Sequence, residues 1–112
     1  MKTEIRAYIN EYVSGLKERF GEELCGIILY GSYARGDYRD DSDIDIMILT
    51  SLDDDKIASF RLELYDFTYE FNESHNTLIM PVTADRDLFE RRAGYYPFYG
   101  NIIKEGVELY AS

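Results

Sequence analysis

A chain of 112 residues that is 46% hydrophobic, with eleven Tyr and six Phe, has enough apolar material for one modest core and too much to stay disordered. Its 22 acids against 12 bases leave a net charge of −10, which repels a nucleic-acid polymer; basic clusters such as Arg91-Arg92 are too short to reverse this. Apolar runs such as 26–30 and 44–49 are too short to cross a bilayer, the first residues hold no signal-like stretch, and the single cysteine, Cys25, excludes an internal disulfide or a cysteine metal cluster, so a cytoplasmic protein is expected.

In chain order, Ile5, Ile9, Tyr12, Leu16 and Phe20 recur every three or four residues and predict a helix over 3–20, with Gly21 as its stop. Residues 24–30 are a short apolar run rich in β-formers and read as a buried strand. A Gly-Ser turn and a polar loop lead to a second strand over 43–50. Asp53, Asp54 and Asp55 suit a helix entry, where acids meet the positive end of the helix dipole, and Ile57, Phe60, Leu64, Phe67 and Phe71 carry that helix to about residue 72. A third strand is expected over 77–83, with Pro81 marking an edge or a bulge. Short helices over 85–93 and 98–105 and a last short strand over 107–110 complete the chain. The reading is an α/β fold: a small sheet flanked by helices, in one domain spanning 1–112.

The chemistry concentrates between residues 31 and 45. Residues two apart on a strand share a face, so Asp43 and Asp45 project together. Paired carboxylates repel unless a cation or proton compensates them, and Mg2+ favours one or two carboxylates plus phosphate oxygens. Gly31 allows close backbone approach, the Ser32 hydroxyl and free N–H groups at a helix start can hold a phosphate, and Arg35 adds a planar cation nearby. Phosphate donors on one element and metal ligands on the next are equipment for phosphoryl or nucleotidyl transfer. The plainer readings are a surface pair between Arg35 and Asp37, a turn role for Ser42, an exposed loop position for His75, buried packing for Cys25, and packing or a partner surface for tyrosines such as Tyr8, Tyr12, Tyr95, Tyr96 and Tyr99.

The string GSYARGDYRDDSDIDIMIL resembles the signature of the DNA polymerase β-type nucleotidyltransferase superfamily. Its minimal nucleotidyltransferase domains read Gly-Ser, Ala-Arg-Gly, then Ser-Asp-x-Asp on a strand; here these are Gly31-Ser32, Ala34-Arg35-Gly36 and Ser42-Asp43-Ile44-Asp45. The ending PFYGNIIKEGVELY is similar to the tail of small bacterial members. The resemblance implies a polymerase β-like fold, catalytic Mg2+ held by Asp43 and Asp45, and a triphosphate, with ATP the expected donor, held by Gly31, Ser32 and Arg35. It implies a HEPN-family protein partner in a toxin–antitoxin pair, AMP being added to a tyrosine of that partner. It also implies a third carboxylate on the third strand, where residues 76–83 have none. Asn76 is the position expected there, with Glu70, Glu73, Asp85 and Asp87 as substitutes. Two further readings follow: a catalytically weak module that neutralises its partner by contact, and transfer to a small molecule in a cleft completed by a homo-oligomer.

Overall fold

A computed structural model describes residues 1–112. The elements are α1 (Thr3–Phe20), β1 (Leu24–Tyr30), α2 (Ser32–Arg35), β2 (Ile44–Thr50), α3 (Asp54–His75), β3 (Ile79–Asp85), α4 (Arg86–Arg92), α5 (Pro97–Glu105) and β4 (Val107–Ala111). The four strands form one mixed sheet in the order β3-β2-β1-β4, with β2–β3 parallel and the other two pairs antiparallel. This is the α/β architecture expected. No helix is long and apolar enough to cross a membrane.

Strand alternation sends side chains to both faces of the sheet, and each face is covered. Ile44, Ile46 and Ile48 of β2 join Ile27 and Leu29 of β1, the apolar stripe of α1, and Leu64 and Phe71 of α3 in the main core. Met47 and Leu49 point the other way, onto Phe89 of α4 and Ile102 of α5. The α3 entry is capped as its acids suggested, with the Asp53 carboxylate accepting from the Lys56 N–H at 2.9 Å.

Several expectations need correcting at the end of α3. The helix runs to His75, and Asn76 is its left-handed C-cap (φ 54°, ψ 48°), exposed and outside the sheet. The strand therefore begins at Ile79 rather than at residue 77. The Asn72 side chain sets that start: its amide donates to the Ile79 carbonyl at 3.0 Å and its oxygen accepts from the Ile79 N–H at 2.9 Å. Pro81, two residues on, has no N–H to offer on the same side. Together they blunt the free edge of β3, which is the edge that Pro81 suggested. His75 is not a loop residue either. It closes α3, stacks on Phe71 with ring centroids 3.8 Å apart, and brings Nε2 to 3.0 Å from the Glu11 carboxylate, tying α3 to α1. Cys25 is half-buried against the smaller cluster, in keeping with packing.

Tyr12 is fully buried between α1 and α3, and its hydroxyl shares a hydrogen bond of 2.7 Å with that of Thr68. Burial pushes its phenol up to about 12, although the Thr68 contact and Arg19 pull the other way. Because the folded value lies above the unfolded one, Tyr12 contributes stability that is fully present below pH 10 and is lost as pH climbs toward 12. Tyr12→Phe is expected to cost about 1–2 kcal/mol in urea unfolding at pH 7, where a buried hydroxyl partner is left alone. It should also flatten the fall in stability above pH 10; an unchanged alkaline slope would contradict the assignment.

Candidate functional site

The antiparallel pairing of β1 with β2 builds the site. Tyr30, the last residue of β1, lies opposite Asp45, so the turn that leaves β1 starts beside the aspartates that enter β2. Gly31 makes that turn with φ 74° and ψ −153°, a conformation that side chains rarely adopt. Its missing side chain is also a steric requirement, since a β-carbon there would overlap the Asp45 carboxylate. The short helix α2 follows, closed by Gly36 in the left-handed region (φ 87°) with its N–H bonded to the Ser32 carbonyl. Tyr33 is buried in the main core and stacks on Tyr38 at 4.3 Å and 7°, which pins the loop back toward β2. Within the loop the Ser42 hydroxyl accepts from the Arg39 N–H at 2.8 Å, so Ser42 shapes a turn while also facing the cleft.

An open cleft of about 490 Å3 results, lined by Tyr30, Gly31, Ser32, Arg35, Ser42, Asp43 and Asp45, and from α5 by Phe98, Asn101, Ile102 and Glu105. All five residues singled out from the sequence share it. Asp43 is exposed at the mouth; Asp45 is half-buried. Burial first, then the Asp43 charge, raise the Asp45 carboxyl above its ordinary value, while Arg35 opposes them. Burial and the Asp45 carboxylate likewise push the Tyr30 phenol up to about 12. Arg35 is doubly paired, through Nε to Asp37 at 3.3 Å and through Nη1 to Glu105 at 3.6 Å.

None of the five side chains considered for a third carboxylate reaches this pair. Asn76 lies outside the sheet as the α3 cap. Glu70 and Glu73 are exposed on α3, which packs against the opposite face from Asp45. Asp85 pairs with Thr50, five residues along β2 from Asp45, or about 16 Å at strand spacing. It caps α4 by accepting from the Asp87 N–H at 2.9 Å. The β3 residue beside Asp45 is Met80. No third His, Cys, Asp or Glu joins the two aspartates in a metal-holding group.

The α5 wall was missed in the sequence. Phe98, Asn101, Ile102 and Glu105 fall at i, i+3, i+4 and i+7, one face of a helix, but the polar Asn101 and Glu105 alternate there with the apolar Phe98 and Ile102, so the row does not stand out as an inward stripe.

The family model for a nucleotidyltransferase domain matches residues 9–96. A protein of Methanocaldococcus jannaschii, provisionally named as a protein adenylyltransferase, is 33% identical over 102 residues, spanning 91% of this chain and 94% of that protein. The protein adenylyltransferase MntA of Thermococcus cleftensis is 40% identical over 45 residues, covering 40% of this chain and 43% of that one. Among solved structures, a toxin–antitoxin crystallised with AMP-PNP superposes with a TM-score of 0.57 at 21% identity, over 92% of this chain and 73% of that one. A provisionally named nucleotidyltransferase from Sulfolobus solfataricus does so with a TM-score of 0.54 at 23% identity, over 99% and 89%. At these identities the structural likeness speaks for the fold.

Because Gly31 carries both a positive φ and the Asp45 contact, Gly31→Ala is expected to destabilise the protein by about 1–3 kcal/mol and to displace the Asp45 carboxylate. Gly94→Ala, in open space, is the control and should stay within about 0.5 kcal/mol of the parent. Chemical denaturation of the two variants checks this; equal stabilities would remove the close approach from the account.

Proposed function

The chain belongs to the nucleotidyltransferase domain family, and from that premise we propose that it transfers AMP from ATP to a hydroxyl on a partner protein, as the antitoxin of a HEPN-type pair. The observation that carries the reading is the convergence of Gly31, Ser32 and Arg35 with Asp43 and Asp45 on one cleft. The protein adenylyltransferase names of the relatives support the reaction type, and the toxin–antitoxin neighbour with AMP-PNP supports the nucleotide and the kind of partner.

The donor set fits Mg2+. Two adjacent carboxylates, one raised by burial and by the other's charge, are short of a cation, and Mg2+ uses one or two such ligands while drawing the rest from phosphates and water. When bound there, the ion offsets charge on the phosphates. Asp43 and Asp45 are the proposed metal ligands. Gly31 leaves room for the triphosphate to approach the backbone, the Ser32 hydroxyl donates to a phosphate oxygen, and Arg35 offers its guanidinium to the same group. The acceptor oxygen attacks the α-phosphorus, a new O–P bond forms, and the bond to the β-phosphate oxygen breaks to release pyrophosphate. The open cleft offers no enclosed acceptor pocket, so the acceptor hydroxyl, a tyrosine in this reading, comes on the partner. The acidic surface and the short basic clusters leave a nucleic-acid polymer an unfavoured acceptor.

One observation favours a second reading. Met80, an apolar side chain, holds the β3 position beside Asp45, and this fits a catalytically weak module that restrains its partner by contact. Incubation with Mg2+ and ATP labelled at the α-phosphate, alone and with co-purifying protein, separates the two. Label is expected on the partner, falling by about 100-fold or more in Asp43→Asn and Asp45→Asn as transition-state charge loses its compensation. A stable complex that acquires no label would instead establish the contact-only module.

A further inference from the structure

The Arg35–Glu105 pair spans the cleft from its two walls, α2 and the last turn of α5. Glu105 is held there by the chain behind it. Gly106 packs so closely on β1 that a β-carbon would overlap the Ile102 carbonyl and the Ile28 side chain. The end of α5 is thereby pressed against the sheet, and Glu105, at the end of the cleft-facing row that starts at Phe98, reaches Arg35. Apart from Asp43 and Asp45, Glu105 is the only carboxylate residue lining the cleft. Both partners are roughly half exposed, so the pair is weak and can be exchanged for a stronger anion.

We propose that Glu105 is a positioning residue that stands in for phosphate: it holds Arg35 in the cleft before nucleotide arrives, yields it to the triphosphate, and recaptures it as pyrophosphate leaves. The inference rests on the nucleotide site proposed above. The geometry sets up a competition. Arg35 already spends Nε on Asp37 and Nη1 on Glu105, and an anion arriving between Ser32 and Arg35 meets the Glu105 charge on the same guanidinium. Glu105 thus keeps a long arginine side chain ordered and limits how tightly the leaving pyrophosphate is held. A carboxylate that orients Arg35 without competing, or one that adds only to the general negative charge, would behave differently in a double-mutant cycle.

The test is calorimetric binding of ATP and, separately, of pyrophosphate, each with Mg2+, at 0.15 M salt to damp long-range charge effects. The proteins are the parent, Glu105→Gln, Arg35→Met and the double variant. Glu105→Gln should tighten both ligands about threefold to fivefold in the parent, the scale of a half-exposed ion pair, and by about 1.5-fold or less with Arg35→Met. Equal tightening in both backgrounds would reduce Glu105 to a bulk charge and overturn the proposal. So would weaker binding by Glu105→Gln, which would show that Glu105 holds Arg35 for the ligand without competing with it. Binding by the parent that Glu105→Gln leaves unchanged would sink this inference alone, whereas no binding by any of the four proteins would sink the nucleotide site with it.

Discussion

A carboxylate pressed against a glycine at a strand end is the constraint from which this molecule is organised. It arises because β1 and β2 are antiparallel neighbours whose register sets Tyr30 across from Asp45. The chain must leave β1 and enter β2 at the same end of the sheet, and the space between is too small for any residue but glycine at position 31. Two features that are fourteen residues apart in the chain, the Gly31–Ser32 turn and Asp45, therefore become one site. The cores on either face of the sheet serve that register: Ile44 and Ile46 are locked into the main cluster, and a slip of one residue would turn Asp45 into the hydrophobic interior. Stability and site geometry are thus tied to the same strand.

That tie explains what could be read from the sequence. Asp43-Ile44-Asp45 alternates polar with buried apolar, and although β2 starts only at Ile44, Asp43 just before it keeps that alternation and lines the same cleft as Asp45. The long helices were legible for a similar reason, since Leu64 and Phe71 repeat on one face with acids clustered at Asp53. What could not be read depends on partners far apart in sequence. Asn72 fixes the start of β3 through a side chain, and no periodicity rule reports that, so Asn76 seemed to stand near a strand it does not enter. His75 looked like a loop residue because its stacking on Phe71 and its reach to Glu11 join two helices. Glu105 sits on an exposed helix face, and its significance appears only when α5 is folded over the cleft.

At the start of the free β3 edge the Ile79 N–H and carbonyl are answered by the Asn72 side chain and Pro81 has no N–H, which discourages a neighbour from adding a strand at that end. Exposed aromatic side chains include Tyr65 and Tyr69 on α3, and three more, Tyr95, Tyr96 and Phe98, lie together on the connection and first turn of the α5 wall that borders the cleft. Aromatic side chains bury much area at low entropic cost, so they suit a surface that is covered when another molecule approaches the site.

Met80 sharpens what the cleft asks of that other molecule. A carboxylate at its position would have sat across the strand pair from Asp45 and could have accepted the proton of an attacking hydroxyl. A thioether cannot, and the Met80 side chain is half exposed and does not line the cleft. In the proposed reading such a site would bind phosphates through groups it owns but would bring no base on β3 beside Asp45. Proton removal then falls to the acceptor's own surroundings, to a phosphate oxygen, or to solvent entering the open mouth. Reactivity would depend on how the acceptor is presented, which makes a protein partner with a fixed docking geometry better suited to this cleft than a freely diffusing small alcohol.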